Sequence, residues 1–396
     1  MSKVVVIGAG ASGIIAALKA SVNNEVILID GNKDCGKKLL ITGNGKCNYW
    51  NEEINIKNYF TNDLNKLNEI LEKNIEVLNY LDSIGIYPKI KNGYYYPASQ
   101  LAASIKEIFT KEIERNNIKT LYNTLVKNIE IESDKYIIET INAKIICDKV
   151  IIATGSKSAP KTGSDGFGYK IAKKFGHNIT PVLPALTGLK TKENIKEWAG
   201  VRTDVKLSLF VDEKQIQEEF GEIQLTEDGI SGICTFNISG NVSKNLYNKK
   251  EVIVKINFVP NIEDFYKFME ERNQKMPNRT IEELLESILN YKLTNVILKR
   301  CYLNKSDYYS NLSNEDKFLL IKNITDFEIL INDTNSFDKS QVCTGGISLN
   351  EINENMESIY SKNLYLVGEL LDTDGKCGGF NLAFAFITGY IAGVSV

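Results

Sequence analysis

The sequence contains a single histidine, His177, among 396 residues. Zinc sites with paired histidines, and Ser-His-Asp or Cys-His nucleophile systems, each require an imidazole beside the reacting group. His177 stands in KKFGHNITP, where a helix is expected to end, and this position favours a capping or surface role. The composition therefore disfavours histidine-based nucleophile chemistry, and we expect no metal site.

The chain also lacks an excess of charge of one sign. It has 47 lysines and arginines against 50 aspartates and glutamates, a net charge of −3, and the two signs are interspersed. Binding to nucleic acid draws on an excess of positive charge that neutralises phosphates. We therefore expect a small-molecule substrate rather than a nucleic acid.

Neither a disulfide framework nor a membrane anchor is indicated. The seven cysteines are odd in number and scattered from Cys35 to Cys377, which is typical of a reducing compartment. The uncharged tail from Cys377 to Val396 lacks the flanking basic residues of an anchor and is rich in small residues. We expect a cytoplasmic protein in which this tail forms a buried helix.

A βαβ unit opens the chain. VVVIG reads as a buried strand, ASGIIAALKA as a helix and EVILID as the next strand. Gly8, Gly10 and Gly13 form a G-x-G-x-x-G motif between the first strand and the helix, and Asp30 ends the second strand. This spacing predicts a dinucleotide site whose acid binds an unphosphorylated ribose, as in NAD or FAD.

The rest of the chain predicts a discontinuous domain. The apolar strand VIIATG returns to the parallel sheet after a meander, and its Ala153-Thr154-Gly155 turn comes close to the nucleotide. Residues 188–260 are β-rich, whereas 261–330 are helical and rich in asparagine and lysine. We expect an α/β fold in which a Rossmann-like domain (1–187 and 331–396) carries an inserted β-barrel-like plus helical domain.

Two Gly-rich segments leave their roles open. ITGNGKCNYWN, residues 41–51, is compatible with a phosphate cradle, a metal site, a catalytic cysteine or a plain turn. A structural role for Cys47 is favoured, since no second cysteine stands at C-x-x-C spacing. GSDGFGY, residues 163–169, is compatible with a nicotinamide-nucleotide cradle or with a packed loop.

Motifs along essentially the whole chain resemble those of a known family, the bacterial FAD flavoproteins of the aminoacetone oxidase family, which are NAD(P)/FAD-dependent oxidoreductases. The similar segments are, in order, GAGASG, GKKLLITGNGKCN, IATGSKSAPKTGSDGFGYKIAKKFGH, GEIQLTEDGISG, VCTGGISLNEI, MES and LYLVGELLDTDGKCGGFNLAFAFITGYIAG. The chain departs from this pattern at Lys46, where arginine is common, and at Ser156, where glycine is common. Lysine offers a point charge rather than a planar fork.

The resemblance implies FAD as the cofactor, with its adenine near Val126 and an inserted barrel-like domain roofing the flavin. It also implies that Glu369 reaches a ribityl hydroxyl and that amides at the start of the last helix meet the flavin ring. Asp372 and Asp374 either form a turn or face the substrate. The expected cofactor-binding residues are Gly8, Gly10, Ala11, Ser12, Gly13, Asp30, Lys38, Thr42, Gly43, Asn44, Gly45, Lys46, Cys47, Asn48, Val126, Ala153, Thr154, Gly155, Gly368, Glu369, Gly378, Gly379, Phe380 and Asn381.

The expected function is that of an FAD-dependent oxidoreductase. A hydride would pass through flavin N5 between NAD(P)H or an organic donor and a small organic acceptor or oxygen. No acid or base is evident, although Tyr94, Tyr95 and Tyr96 are candidate proton donors. A flavin-binding sensor without turnover and a flavin-dependent RNA-modifying enzyme are the alternatives.

Overall fold

The computed structural model describes residues 1–193 and 195–396. These residues form two compact units, the first comprising Met1–Leu183 with Phe337–Val396 and the second Pro184–Ser336. The sequence placed the divisions after residues 187 and 330, whereas the structure places them after 183 and 336. The later division follows from a barrel strand that continues to Thr334.

Strands and α-helices are numbered in chain order. The strands are β1 (Lys3–Ile7), β2 (Glu25–Ile29), β3 (Trp50–Asn51), β4 (Tyr59–Thr61), β5 (Pro88–Lys91), β6 (Tyr94–Pro97), β7 (Lys119–Leu121), β8 (Val126–Glu132), β9 (Lys135–Thr140), β10 (Lys144–Cys147), β11 (Lys149–Ile152), β12 (Leu183–Ala185), β13 (Leu189–Thr191), β14 (Arg202–Val211), β15 (Lys214–Leu225), β16 (Gly229–Gly232), β17 (Val252–Asn257), β18 (Phe327–Thr334), β19 (Val342–Thr344), β20 (Leu364–Leu366) and β21 (Thr373–Gly375). The helices are α1 (Ala11–Ala20), α2 (Leu64–Leu71), α3 (Asn74–Ser83), α4 (Ala102–Arg115), α5 (Phe167–Lys174), α6 (Ile233–Tyr247), α7 (Phe265–Lys275), α8 (Ile281–Leu285), α9 (Tyr291–Arg300), α10 (Asn314–Thr325) and α11 (Phe380–Ser395).

The first unit is built on a parallel sheet of order β20-β11-β1-β2-β7. Its central strands are short apolar runs, and Val5 pairs in register with Ile27 on one side and Val150 on the other. Strands buried on both faces have this composition. The carboxyl ends of β1, β2, β11 and β20 lie along one edge of the sheet. The loops that follow these strands come together there and form the candidate ligand-binding site. The predicted Rossmann-like α/β class is confirmed.

The tail forms α11, which packs closely on α1. A Cβ atom added to Gly389 would overlap the carbonyl oxygen of Ser12, and one added to Gly393 would lie 2.5 Å from that of Ala16. Glycine at these two places lets the helix backbones approach, so that most of α11 is buried. Within the described part of the chain, no helix has the length and apolar character needed to cross a membrane.

The second unit contains a closed barrel of order β13-β16-β15-β14-β17-β18. Alternate residues of β14 and β17, such as Leu207, Leu209, Val254 and Ile256, are fully buried, as period-two patterning requires. The structure differs from the expected division into a β-rich and then a helical part in two places. Helix α6 lies within the first part, and β18 returns from the helical part to close the barrel.

Candidate active site

The three glycines of the first turn have different surroundings. A Cβ atom at Gly8, whose φ is +104°, would overlap the carbonyl oxygen of Ala153, and one at Gly13 would overlap that of Gly8. A Cβ atom at Gly10 would meet nothing within 4 Å. Gly8 and Gly13 therefore permit close packing, whereas Gly10 borders open space at the start of α1.

That open space suits an anionic group. Gly10 caps α1 without any side-chain hydrogen bond, so the amides of Ala11, Ser12 and Gly13 in the first turn have no partner within the helix. Free amides and the helix dipole together favour a phosphate. These residues can hold a pyrophosphate.

Asp30 lies directly after β2 and fixes the turn that follows β1. Its Oδ2 accepts the Ala9 amide at 2.7 Å, and its Oδ1 accepts the backbone and side-chain N–H groups of Asn32 at 2.7 and 2.9 Å. A carboxylate offers about four acceptor positions, so capacity for a ribose hydroxyl remains. The side chain of Leu125, next to Val126, lies against Gly31 and so brings the start of β8 to this turn.

Lys38 and Glu369 form an ion pair at the same edge of the sheet. The Lys38 Nζ donates to Glu369 Oε2 and to Ser158 Oγ, both at 2.6 Å. Glu369 Oε1 is buried and has no hydrogen-bond partner. The predicted cofactor residues include Lys38 and Glu369 but not Ser158, for which SKS after the Gly-rich turn was the available signal.

The 42–48 loop has an unusual backbone. Gly43, Asn44, Gly45 and Cys47 all have positive φ, between +53° and +81°. The Cys47 side chain is fully buried, and this burial raises its pKa from 9.0 to about 11. A thiol in that state is protonated at neutral pH. Burial therefore supports a structural role for Cys47 over a nucleophilic one. The neighbouring Lys46 is exposed.

The start of α11 is held by several contacts within the first unit. Gly379 has φ +93° and caps the helix without a side-chain hydrogen bond. Asn381 exchanges two 2.8 Å hydrogen bonds with the backbone of Gly375, and the Phe380 ring meets the Tyr59 ring edge-on at 5.7 Å between centroids. Asn381 and Phe380 therefore position the helix start, and the amides that begin α11 are the groups that can meet a ligand.

Two further contacts surround this helix start. A Cβ atom at Gly378 would lie 2.5 Å from Cε1 of Tyr94, so this tyrosine is beside the Gly-Gly pair. The Asn48 amide, in its preferred orientation, donates to the carbonyl groups of Trp50 and Tyr95 at 3.1 Å. Tyr94 is thus the tyrosine of the YYY run that contacts the predicted cofactor residues at Gly378.

The second Gly-rich turn packs against the first. A Cβ atom at Gly163 would lie 2.7 Å from the Asn32 side chain, and one at Gly155 would lie 3.1 Å from Ser164 Oγ. Asn32 also donates to the Thr162 carbonyl at 3.0 Å. These contacts support the packed-loop interpretation of residues 163–169, which lie next to the turn that follows β11 and next to Asp30.

His177 is buried, so the expected surface role is wrong, whereas its backbone N–H does cap α5 by donating to the Ala172 carbonyl at 3.1 Å. Its Nδ1 lies 2.9 Å from Glu351 Oε2, and its Nε2 lies 2.7 Å from Ser358 Oγ. Ser358 Oγ already accepts two backbone N–H groups, so its own proton goes to Nε2 and the imidazole proton is on Nδ1. Desolvation lowers the pKa of His177. A single sequence offers no signal for this packing, because both partners lie more than 170 residues away.

Several buried polar atoms around this edge have no partner. They belong to side chains on the loops after β11 and β20 and on the neighbouring β19 and β21. Such atoms cost about 1–3 kcal/mol each when they remain unpaired, so they indicate groups that a ligand or water satisfies. The atoms are Thr154 Oγ1, Thr344 Oγ1, Glu369 Oε1, Asp372 Oδ1 and Thr373 Oγ1.

These observations fit FAD. The open cradle at Gly10 suits its pyrophosphate, Asp30 suits its ribose and the unpaired Glu369 Oε1 suits a ribityl hydroxyl. Among residues 1–193 and 195–396, no cluster of three histidine, cysteine, aspartate or glutamate side chains is placed to hold a metal ion.

Comparison with known proteins decides the family. The model of the HI0933-like protein Rossmann domain matches residues 2–395. This chain belongs to that family. The predicted class, an FAD-dependent oxidoreductase with a Rossmann-like domain, is thereby confirmed.

Curated relatives of this HI0933-like protein match over almost the whole chain. A 3-dehydro-bile acid delta(4,6)-reductase of Clostridium scindens is 37% identical, covering 99% of this chain and 98% of the relative. A ribosomal RNA dihydrouridine synthase of Escherichia coli is 26% identical, covering 96% of this chain and 94% of the relative.

Solved structures share the fold at low identity. A flavocytochrome c3 fumarate reductase superposes with a TM-score of 0.52 at 15% identity, covering 99% of this chain and 77% of that one. A 3-ketosteroid-delta4-(5alpha)-dehydrogenase of Rhodococcus jostii RHA1 gives 0.51 at 13% identity, covering 100% and 96%. These similarities establish the fold of the HI0933-like chain and do not identify its substrate.

Proposed function

We propose that this protein is an FAD-dependent reductase that saturates a C=C bond conjugated to a carbonyl group in a small organic molecule, with NAD(P)H as the electron donor. The observation that carries the proposal is the 37% identity, over 99% of the chain, to a reductase named for a 3-dehydro-bile acid. Dihydrouridine synthases, to which the chain is 26% identical, are named for a product in which a conjugated C=C bond of uracil is saturated. One type of reaction therefore accounts for both relatives.

The first unit supplies the binding groups that this reaction needs. Gly10 and the first turn of α1 would hold the pyrophosphate, Asp30 the adenosine ribose, and Glu369 a ribityl hydroxyl. When bound, FAD would supply two-electron chemistry, taking a hydride from one molecule and giving it to another. The amides at Gly379 would present partial positive charge from the α11 dipole to the ring.

The Lys38–Glu369 pair has an orienting task in this arrangement. Lys38, which also donates to Ser158 Oγ, holds Oε2 of Glu369 in place and leaves Oε1 available to a donor on the ligand. Charge-assisted hydrogen bonds of this kind are short and directional. The pair would therefore fix the ribityl chain and, through it, the reacting ring.

Assays with different acceptors and donors distinguish reduction of a small molecule from the alternative functions. The holoenzyme is supplied with NADH or NADPH and offered a 3-oxo-4-ene steroid, oxygen, aminoacetone as an oxidisable donor, or a ribosomal RNA fragment. The proposal predicts rapid nucleotide oxidation with the steroid or another conjugated enone, and a product two mass units heavier. Turnover with aminoacetone and oxygen alone would instead support an oxidase.

RNA is a second candidate substrate, because the dihydrouridine synthases at 26% identity carry that name. The balanced charge of the chain opposes it, since phosphate contacts depend on clustered positive charge. Formation of dihydrouridine in the RNA fragment would decide for this candidate.

A further inference from the structure

Asp372 has an unusual environment for a carboxyl group. It is 2% exposed and lies immediately before β21. Its Oδ2 accepts from the Thr180 hydroxyl at 2.9 Å and from the Asn62 amide at 3.3 Å. Its Oδ1 is buried and has no hydrogen-bond partner. One oxygen is thus held by two donors, whereas the other is available.

Neither donor to Asp372 carries a charge. A carboxylate in the interior is expensive unless it is paired with a cation or receives several hydrogen bonds. In its acid form the group would use Oδ2 as the acceptor for both donors and Oδ1 as an O–H donor. The unpaired Oδ1 would then direct its proton at a ligand.

The position of Asp372 places it between two groups of predicted cofactor contacts. Glu369 lies three residues before it, and the Gly378–Gly379 pair follows β21. The paired hydrogen bonds between Gly375 and Asn381 tie β21 to the start of α11. The hydroxyl of the adjacent Thr373 is also buried and unpaired.

We propose that Asp372 is the acid that protonates the α-carbon of the substrate while the conjugated double bond is reduced, an inference that rests on the proposed function. A hydride that NAD(P)H supplies through the bound cofactor adds to the β-carbon with its electron pair, and the π pair moves toward the carbonyl oxygen to give an enolate. The enolate pair then forms the C–H bond at the α-carbon, while the O–H bond at Oδ1 breaks and leaves its pair on the carboxylate. Asp372 is left as a carboxylate, which Thr180 and Asn62 stabilise until solvent returns the proton.

The test separates proton delivery from electron delivery. Holoenzyme of the wild type and of Asp372→Asn is reduced anaerobically with dithionite, and reoxidation is followed with a 3-oxo-4-ene steroid, with cyclohexenone or with ferricyanide. Ferricyanide takes electrons alone and forms no C–H bond. Asparagine keeps an acceptor for Thr180 and Asn62 but cannot give up a proton as an acid.

The expected result is a loss that depends on the acceptor. Reoxidation of Asp372→Asn by the enone should fall by about 100-fold or more, the usual contribution of a general acid, while reoxidation by ferricyanide stays unchanged. Glu351→Gln is the control, because it alters another buried carboxylate of the first unit whose oxygens are both hydrogen-bonded. Rates per bound FAD should match the wild type in this control.

Three outcomes would overturn the inference, and a fourth would overturn the proposed function on which it rests. Enone reoxidation of Asp372→Asn at the wild-type rate removes the acid role, as does an equal loss with both acceptors. An enone-selective defect in Tyr94→Phe but not in Asp372→Asn assigns the proton to Tyr94. If ferricyanide but no enone reoxidises the wild type, the proposed function itself fails.

A second variant keeps the test decisive if Asp372→Asn does not bind FAD. Thr180→Val leaves the carboxyl in place and removes a donor that stabilises the carboxylate product. A smaller loss confined to the enone is expected. Unchanged enone reoxidation in Thr180→Val, with FAD content equal to that of the wild type, would contradict the inference.

Discussion

At the scale of single residues, the three glycines of the turn after β1 differ in what they allow: two permit close packing and one leaves room for a ligand. Gly13 and Gly8 are in contact with backbone atoms, whereas Gly10 borders open space. The sequence motif predicts all three glycines but cannot say which of them the fold needs and which the ligand needs. That distinction follows from what a Cβ atom would meet at each position.

Two alanine substitutions test this distinction. Gly10→Ala should leave the melting temperature of the apoprotein near that of the wild type, because the φ of −83° at Gly10 is open to any residue, and it should weaken FAD binding. Gly13→Ala should destabilise the apoprotein by about 1–3 kcal/mol, since its Cβ overlaps the Gly8 carbonyl. Calorimetry without FAD and titration with FAD measure the two effects. Equal loss of stability in both variants would contradict the assignment.

Cys47 should behave as a buried structural residue. Because its thiol is fully buried and its pKa is about 11, iodoacetamide should not modify it in the native protein at neutral pH. Cys47→Ser should retain the rate of flavin reduction by its donor. Mass spectrometry of tryptic peptides checks the first expectation. Rapid alkylation of the native protein, with loss of activity, would instead show that the Cys47 thiol is reactive.

At the scale of elements, the segment after α5 is joined to the 349–361 region by the His177 cluster. Glu351 and Ser358 are within hydrogen-bond distance of the imidazole, and the Tyr360 ring meets it at 77° with 5.1 Å between centroids. The sequence motifs predicted β1, α1, β2 and β11, because local hydrophobic patterns define them. They did not predict the His177 cluster, because it depends on tertiary packing between distant segments.

This cluster predicts a dependence of stability on pH. Burial lowers the folded-state pKa of His177 below the unfolded value of 6.5, so the unfolded chain binds more protons near that pH. The stabilisation should be fully present above pH 6.5 and be lost as the pH falls through 6.5 toward the folded-state value. Urea denaturation across this range should show the decline.

The variant His177→Gln isolates the effect, since the chain has no other histidine. It should lower the free energy of unfolding at neutral pH by about 1–3 kcal/mol, and the pH dependence near 6.5 should disappear. A variant that keeps the wild-type slope would show that another group titrates.

At the scale of the whole molecule, the chain forms two compact units and carries nearly equal numbers of basic and acidic residues. The discontinuous order of the domains was predictable, because Gly-rich apolar segments stand at both ends of the sequence. The closure of the barrel by β18 was not, since pairing of β13 with β18 joins strands more than 130 residues apart. Its sequence, FEILINDT, predicts a strand but does not indicate which strand it pairs with.

The balanced charge predicts weak binding to RNA. With 47 basic and 50 acidic residues, retention on a ribosomal RNA fragment should be absent at physiological salt. Filter binding at two salt concentrations measures it, with a basic RNA-binding protein as the positive control. Tight, salt-dependent retention would favour the RNA candidate.

The most direct test of the central claim is an anaerobic absorbance spectrum of the purified holoenzyme during addition of NADH or NADPH and then of a conjugated enone. An FAD-dependent enone reductase should show oxidised flavin bands that bleach with one of the nucleotides and return when the enone is added, with one saturated product formed per flavin. Bands that persist with both nucleotides, or bleached bands that only oxygen restores, would contradict that claim.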